Sequence, residues 1–336
     1  MTKKHFSILL VAAVLVAAAV FLIPSPTGRD AGSANSLLLP DLADAVNDIS
    51  LVRISAGGDT EPVTLERVES GWVVKESYNY PADWSVLRPL LADLSQAVIV
   101  EEKTSNPEYY YRLGVQDPDA EDSESRLIEF PANEMLPGVI VGNSAQNRDG
   151  HYLRIQGESP SMLVDRAITL PINENGWLAR EIVDIEDSSV LSASITHADG
   201  ESITVEREST DVTDFNLRDV PEGREMTSTY TINQVAAVLA DLQLESVVPA
   251  DEVVWEGATE LQLITETGMQ LDATLVEDEE NRWMKLVVSG EGSDEINQVV
   301  DGWAYNIPLY KFDAMNKRME DLLTPLDDES DDSGSQ

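Results

Sequence analysis

The sequence has 336 residues, of which 22 are Lys or Arg and 62 are Asp or Glu, so its formal net charge is −40 at pH 7. A surface of this sign repels nucleic acid and anionic lipid head groups, and we therefore exclude nucleic acid as a partner. The chain contains no cysteine, which excludes disulfides, thiol catalysis and cysteine zinc sites.

The acidity itself has two interpretations. Negative charge attracts cations and basic partners. It also keeps a protein soluble in a salty environment, where screening weakens its self-repulsion. We favour the second interpretation, because net charge bears on solubility more than on fold.

An apolar segment follows Lys3 and Lys4 at the start of the chain. It runs from Phe6 to Ile23 without a charged residue. As a helix it is about 27 Å long, which is close to the thickness of a bilayer core. The two lysines place the N-terminus in the cytoplasm by the positive-inside rule. We predict a single-pass anchor at residues 1–28 in the lipid bilayer of a bacterial inner membrane, with the bulk of the chain in the periplasm.

A cleaved signal peptide is the alternative to an anchor. Its apolar core spans about 7–15 residues and is followed by a small-residue cleavage site. The segment here is longer and ends at Ile23-Pro24, which favours the anchor, although cleavage near residues 31–34 stays open. Both interpretations place the rest of the chain outside the cytoplasm.

A sequence similarity divides the remaining chain. The segment Val63–Arg67 recurs as Ile203–Arg207, and each follows alternating apolar residues and a turn, a pattern that predicts a β-hairpin. Two units of this length agree with about 150 residues per domain. The predicted organisation is a linker at 29–47, a first unit at 48–187, a second unit at 188–325 and a disordered acidic tail at 326–336.

Apolar residues at helical spacing predict helices that pack on the sheets. With the strand patterns, they predict an α+β fold class, in which an N-terminal transmembrane helix precedes two repeated units of mostly antiparallel sheet with packed helices. The three helical sets are Leu87, Leu90, Leu91 and Leu94; Val235, Val238, Leu239 and Leu242; and Phe312, Met315, Met319 and Leu322.

Residue patterns for catalysis or metal binding are weak. No two histidines have the spacing of metal ligands. The segment Gly142–Gln146 begins like a nucleophile elbow around Ser144, but it lacks the second glycine, so we predict a turn. The acidic segment Asp117–Glu124 lacks the glycine of a calcium-binding EF-hand loop. We therefore predict no catalytic residue, no metal and no cofactor, and a protein that is not an enzyme.

The aromatic residues give the one predicted contact surface. We expect most of the six tryptophans, including Trp72 and Trp84, to lie in the core. Tyr109, Tyr110 and Tyr111 are consecutive, so their side chains diverge and cannot be buried together. We predict that this triplet contacts a partner.

An ordered set of short motifs resembles the bacterial family known as domain of unknown function 4340. The resemblance extends from about residue 48 to 325, after an N-terminal apolar segment. It implies an accessory role beside ABC transporter components of the gliding-motility-associated type, and it supplies no catalytic residues. The motifs are Gly71-Trp72-Val73-Val74, Pro81-Ala82-Asp83, Tyr111-Arg112-Leu113-Gly114-Val115 before Asp117-Pro118, Val139-Ile140-Val141-Gly142, and Gly150-His151-Tyr152.

Two functions follow as expectations. The first is a non-catalytic, membrane-anchored periplasmic interaction module that docks on the permease or on a sister periplasmic subunit of an ABC-type transport system. The alternative is a periplasmic binding module for a polysaccharide or a divalent cation. A hydrolase with paired carboxylates leaves little trace in a sequence and is the least favoured function.

Overall fold

The computed structural model describes residues 35–57, 61–146, 148–278 and 280–325. No helix within these ranges combines the length and the apolar character needed to cross a bilayer. The predicted anchor residues Lys3, Lys4, Phe6 and Ile23 lie outside the described residues, as do the acidic tail at 326–336 and the first part of the linker.

The first nine strands form one antiparallel sheet. From edge to edge, their order is β4-β3-β2-β1-β6-β7-β8-β9-β5. The strands are β1 (Leu51–Ala56), β2 (Val63–Val68), β3 (Gly71–Val74), β4 (Tyr80–Pro81), β5 (Ile99–Glu102), β6 (Arg126–Glu129), β7 (Val139–Ser144), β8 (His151–Ile155) and β9 (Ser161–Val164).

A second large antiparallel sheet has the order β13-β12-β11-β16-β17-β18-β19-β15, and β10 pairs with β14 in a small third sheet. The strands are β10 (Glu181–Val183), β11 (Val190–Thr196), β12 (Ser202–Glu206), β13 (Asn216–Leu217), β14 (Leu242–Gln243), β15 (Ser246–Pro249), β16 (Thr259–Thr265), β17 (Gln270–Glu277), β18 (Arg282–Ser289) and β19 (Trp303–Asn306).

The described part of the chain contains five α-helices, and each is short. They are α1 (Pro40–Ala45), α2 (Trp84–Gln96), α3 (Thr229–Ala236), α4 (Ser293–Val300) and α5 (Leu309–Met315). The longest, α2, carries the chain from the edge strand β4 to the opposite edge strand β5. Its predicted apolar face is the buried one, because Leu87, Leu90, Leu91 and Leu94 all lie in the core.

The two large sheets share one sequence of strand positions. In each sheet, a hairpin that begins at a central strand, β1 or β11, continues toward one edge. A helix then leads to a strand at the opposite edge, and the following strands lie between that strand and the hairpin. The correspondence runs from β1 to β9 without β4 in the first sheet and from β11 to β19 without β14 in the second. Within the hairpins, Ile54 pairs with Val63 and Ile195 pairs with Ile203. Corresponding apolar pairs therefore occupy corresponding places in the two sheets.

The structure corrects the predicted fold class. The prediction of an α+β fold with a transmembrane helix is wrong for the described residues, which are mostly antiparallel sheet in three sheets with few helices. The longest helix has only 13 residues. The physical reason is that most apolar residues alternate with polar ones over short segments, a period that suits a strand with one buried face.

Two of the predicted helices are also shorter than their sequence patterns. Helix α3 ends at Ala236, and residues 237–241 form turns in which Asp241 has a left-handed φ of +45°. Leu242 then enters the small sheet. Helix α5 ends at Met315, and Met319–Leu322 forms a separate 3₁₀ turn. The apolar side chains of these two predicted helical sets are nevertheless buried, with the exception of Met319. The helical spacing therefore identified buried positions correctly but did not identify where the helices end.

One hydrophobic core contains residues of both large sheets. At their junction, Tyr80 of β4 contacts two residues of β19. Its ring centroid lies 5.1 Å from that of Trp303 and 6.2 Å from that of Tyr305, at nearly perpendicular angles of 85° and 80°. Tyr80 and Tyr305 are fully buried. Edge-to-face packing of this kind adds to the stabilisation from buried area.

The segment after α5 is fastened to the turn between β11 and β12. Arg318 forms ion pairs with Asp199, at 2.9 Å, and with Glu201. The backbone N–H of Met319 donates to Glu201 Oε1 at 2.9 Å. His197 of the same turn also contacts this segment, since its Nε2 lies 3.0 Å from the carbonyl oxygen of Lys317. These contacts close the C-terminal part of the described chain onto the second sheet.

Replacing Tyr80 with Ala tests whether the two large sheets depend on one core. We expect a loss of about 3–5 kcal/mol in the free energy of unfolding, because a buried aromatic leaves a cavity. Unfolding in denaturant, followed by circular dichroism and tryptophan fluorescence, measures it. Tyr230→Ala, at a position 72% exposed, is the matched control and should change little. Equal stability of the two variants would contradict the shared core.

The Arg318 contacts predict a dependence of stability on pH. The N–H of Glu201 and the guanidinium of Arg318 lower the pKa of Asp199, and the N–H of Met319 with the same guanidinium lowers the pKa of Glu201. A lowered carboxyl pKa contributes stability above the ordinary pKa, near 4, and this contribution is lost as the pH falls through the folded-state pKa.

We therefore expect Glu201→Gln to lower the melting temperature at pH 7, and the difference from the unmodified protein to shrink as the pH falls below about 4. Thermal melts across this pH range measure the difference. Glu208→Gln, at an exposed carboxyl just after β12, serves as the control. A difference that stays constant with pH would show that ionisation of Glu201 does not contribute.

Candidate functional site

The predicted tyrosine triplet lies on a 3₁₀ helix, Pro107–Arg112, which follows β5. Asn106 caps this helix, since its side-chain oxygen accepts a hydrogen bond from the N–H of Glu108 at 3.1 Å. The structure divides the triplet: Tyr110 points inward and is 5% exposed, whereas Tyr109 and Tyr111 are 44% and 58% exposed. Only the two outer tyrosines belong to the surface.

Tyr110 anchors the helix. Its hydroxyl donates to the carbonyl oxygen of Ser159 at 2.5 Å, and the guanidinium of Arg154 lies 4.6 Å from its ring centroid. A buried hydroxyl with a partner avoids the cost of an unpaired polar group. The position of the outer tyrosines is therefore set by a buried neighbour.

Arg154 of β8 holds the chain on both sides of this anchor. Its guanidinium is buried and donates to the carbonyl oxygens of Val115 at 2.9 Å and Glu158 at 3.0 Å, and to the carboxylate of Asp117 at 2.6 Å. A buried guanidinium needs partners of this kind, because an uncompensated buried charge is costly. The start of the acidic segment is thus fixed to the sheet by Asp117.

The two outer tyrosines flank an exposed arginine. The guanidinium carbon of Arg112 lies 4.9 Å from the ring centroid of Tyr109 and 5.6 Å from that of Tyr111, and its Nε donates to the Tyr111 hydroxyl at 3.1 Å. Cation–π contacts restrict the long arginine side chain. We call Tyr109, Tyr111 and Arg112 the tyrosine–arginine surface.

Ser144 lies in the segment that begins like a nucleophile elbow, and its Oγ is 3.1 Å from His151 Nε2. The N–H of Ile168 donates to His151 Nδ1 at 3.0 Å, so Nδ1 is the acceptor nitrogen. In the neutral ring, Nε2 then carries the proton and donates to Ser144. A histidine that activates a serine must accept the serine proton at this nitrogen. The tautomer of His151 is therefore the opposite of the one that a serine nucleophile and its histidine base require.

Among the described residues, no three His, Asp or Glu side chains are placed together to hold a metal ion. The acidic segment after Val115 was one place where such a group was conceivable. Its first carboxylate, Asp117, is already bonded to Arg154.

The exposure of Trp84 was missed from the sequence. As the start of a predicted helix it was expected in the core, but its side chain is 49% exposed. Trp84 is the first residue of α2, and helical side chains lean toward the N-terminus, where a first residue has no preceding turn to cover. Position within the helix was therefore the available signal. Of the other tryptophans, Trp177 and Trp283 are buried, whereas Trp72, Trp255 and Trp303 are half-buried, so the prediction that most lie in the core was wrong.

The assigned tautomer of His151 leads to a spectroscopic prediction. Burial lowers the pKa of His151 below its ordinary value near 6.5. We expect ¹H–¹⁵N NMR of the imidazole at pH 7 to show a neutral ring with its proton on Nε2. A ring protonated on Nδ1 alone would contradict the assignment and would restore Ser144 as a possible nucleophile.

Comparison with known proteins places the chain in a family without an assigned function. No curated protein and no solved structure matches it. A family model described as Domain of unknown function (DUF4340) matches residues 72–262, which include the tyrosine–arginine surface, Ser144 and His151. Because this match covers more than half of the chain, the protein belongs to the DUF4340 family.

Proposed function

We propose that this protein is a non-catalytic interaction module of an ABC-type transport system in the bacterial cell envelope, and that the tyrosine–arginine surface is its contact with a partner subunit. The observation that carries the proposal is the pair of exposed tyrosines whose rings both contact Arg112. Tyrosine and arginine are enriched among the residues that dominate binding energy at protein interfaces.

The tyrosine–arginine surface is preorganised in the absence of a partner. Asn106 caps its helix, Tyr110 anchors it from below, and the cation–π contacts restrict Arg112. Association then orders fewer side chains, which lowers its entropic cost. The partner site would offer a hydrogen-bond acceptor to Arg112 and an apolar surface to the tyrosine rings.

The net charge of −40 favours a partner with a basic surface. Charges of opposite sign accelerate the encounter of two proteins and discourage wrong partners. The permease or a sister periplasmic subunit is the partner class that the family resemblance suggests. The apolar segment at residues 6–23 supports attachment to the inner membrane, with the described residues in the periplasm.

The test is recovery of partners from native membranes after crosslinking and mild detergent extraction. We expect the tagged full-length protein to recover an ATPase and a permease in near-stoichiometric amounts. The double variant Tyr109→Ala/Tyr111→Ala should reduce this recovery by about tenfold or more, as expected when residues that dominate an interface are truncated.

A double variant elsewhere gives the matched control. Tyr230 and Tyr310 are 72% and 67% exposed and lie on α3 and α5. Their replacement with alanine removes the same number of exposed rings and should leave recovery unchanged. Recovery of the protein alone would reject the transport-system proposal, and equal losses for both double variants would reject the assigned surface.

A further inference from the structure

A groove of about 560 Å³ lies beside β3, the first turn of α2 and the 3₁₀ turn Val46–Asp48. Trp72, Trp84 and Arg67 are among the residues that line it, together with Asn47 and Ser70. None of these side chains belongs to the tyrosine–arginine surface. The groove is therefore a separate place at which a ligand could bind.

Two indole rings form one wall of the groove. The ring centroids of Trp72 and Trp84 are 6.4 Å apart, and their planes differ by only 13°. Trp84 is half exposed and Trp72 is half-buried. The two indoles are thus stacked on one another, and the partly exposed pair offers a flat aromatic surface that suits a ligand with a flat apolar face.

Hydrogen bonds fix the main chain at both tryptophans. The N–H of Ala82 donates to the carbonyl oxygen of Trp72 at 2.8 Å. Asp83, which precedes Trp84, caps α2 by accepting from the N–H of Ser85 at 2.7 Å and itself donates from its N–H to the Trp177 carbonyl oxygen at 2.7 Å. With the main chain fixed and the two rings stacked on each other, a bound ligand has few torsions left to order.

The charge of the lining restricts the class of ligand. Asp and Glu make up 62 of the 336 residues, yet neither occurs among the described residues that line the groove. Arg67 is the charged group there, and its Nη1 donates to the carbonyl oxygen of Asn47 at 3.0 Å. Arg67 disfavours a cationic ligand, and the net charge of −40 disfavours an anionic one. A neutral ligand meets neither penalty.

A neutral sugar combines the properties that these observations require. Each sugar ring has an apolar face of C–H groups that can pack on an indole, and hydroxyls around its edge that can accept from Arg67 or bond to Ser70. From this geometry we propose that the Trp72–Trp84 groove binds a neutral saccharide, one ring of which packs its apolar face on the exposed side of the stacked indole pair.

Calorimetric titration of the purified full-length protein tests the proposal. The probes are two neutral hexasaccharides, one of β-1,4-linked glucose and one of β-1,4-linked N-acetylglucosamine. We expect at least one to bind and to raise the melting temperature, since it binds the folded state only. Trp84→Ala should weaken its affinity by about tenfold, and Trp84→Phe by less, because a ring is retained.

Three controls separate the possible results. Tyr230→Ala removes an exposed ring outside the groove and should leave saccharide affinity unchanged. Trp84→Ala should leave recovery of the ATPase and the permease unchanged, so that failure of this proposal is distinct from failure of the interaction-module proposal. A decamer of proline tests whether the groove instead binds a proline-rich peptide.

The proposal is overturned if neither hexasaccharide binds at millimolar concentration or if Trp84→Ala leaves the affinity intact. It is also overturned if the proline decamer binds in a Trp84-dependent manner and the saccharides do not. Loss of partner recovery in Trp84→Ala would assign the groove to a protein interface and would equally reject a saccharide site.

Discussion

The packing of Tyr80 against Trp303 and Tyr305 is the contact on which the rest of the structure depends. It joins an edge strand of the first sheet to an inner strand of the second, so that two sheets far apart in sequence share one core. A chain without cysteine has no covalent link to hold such sheets together. Buried apolar area and ring geometry therefore supply the stability of the joined sheets.

Buried arginines perform a second structural task in this acidic chain. Arg154 and Arg207 each place a guanidinium among backbone carbonyls and beside an aromatic ring, Tyr110 for the first and Phe215 for the second. Carbonyl oxygens satisfy most of these donors without adding negative charge, and Asp117 adds one carboxylate partner to Arg154. Each arginine thereby fastens loops to its sheet. The tyrosine–arginine surface is one consequence, because its anchor Tyr110 lies against Arg154.

The two proposed binding places differ in how they present their aromatic rings. Tyr109 and Tyr111 project from a short helix around a cation, an arrangement suited to a protein surface. Trp72 and Trp84 lie nearly parallel along a groove, an arrangement suited to a ligand with flat faces. The two proposals thus rest on the same residue class, and the arrangement of the rings separates the ligand classes proposed for them.

The sequence by itself determined the local elements whose period is unambiguous. Alternation around Ile54 and Ile195 predicted strands of hairpins, the spacing of Leu87 and Leu94 predicted the buried face of α2, and the ordered motifs predicted the family. Only the tertiary structure decided where α3 and α5 end, which tyrosine of the triplet is buried, and that Trp84 meets Trp72. Each of these depends on contacts between residues distant in the chain, such as the pairing of β14 with β10 or the bond from Tyr110 to Ser159. Local periodicity contains no information about such partners, because it reports only which side of an element is apolar.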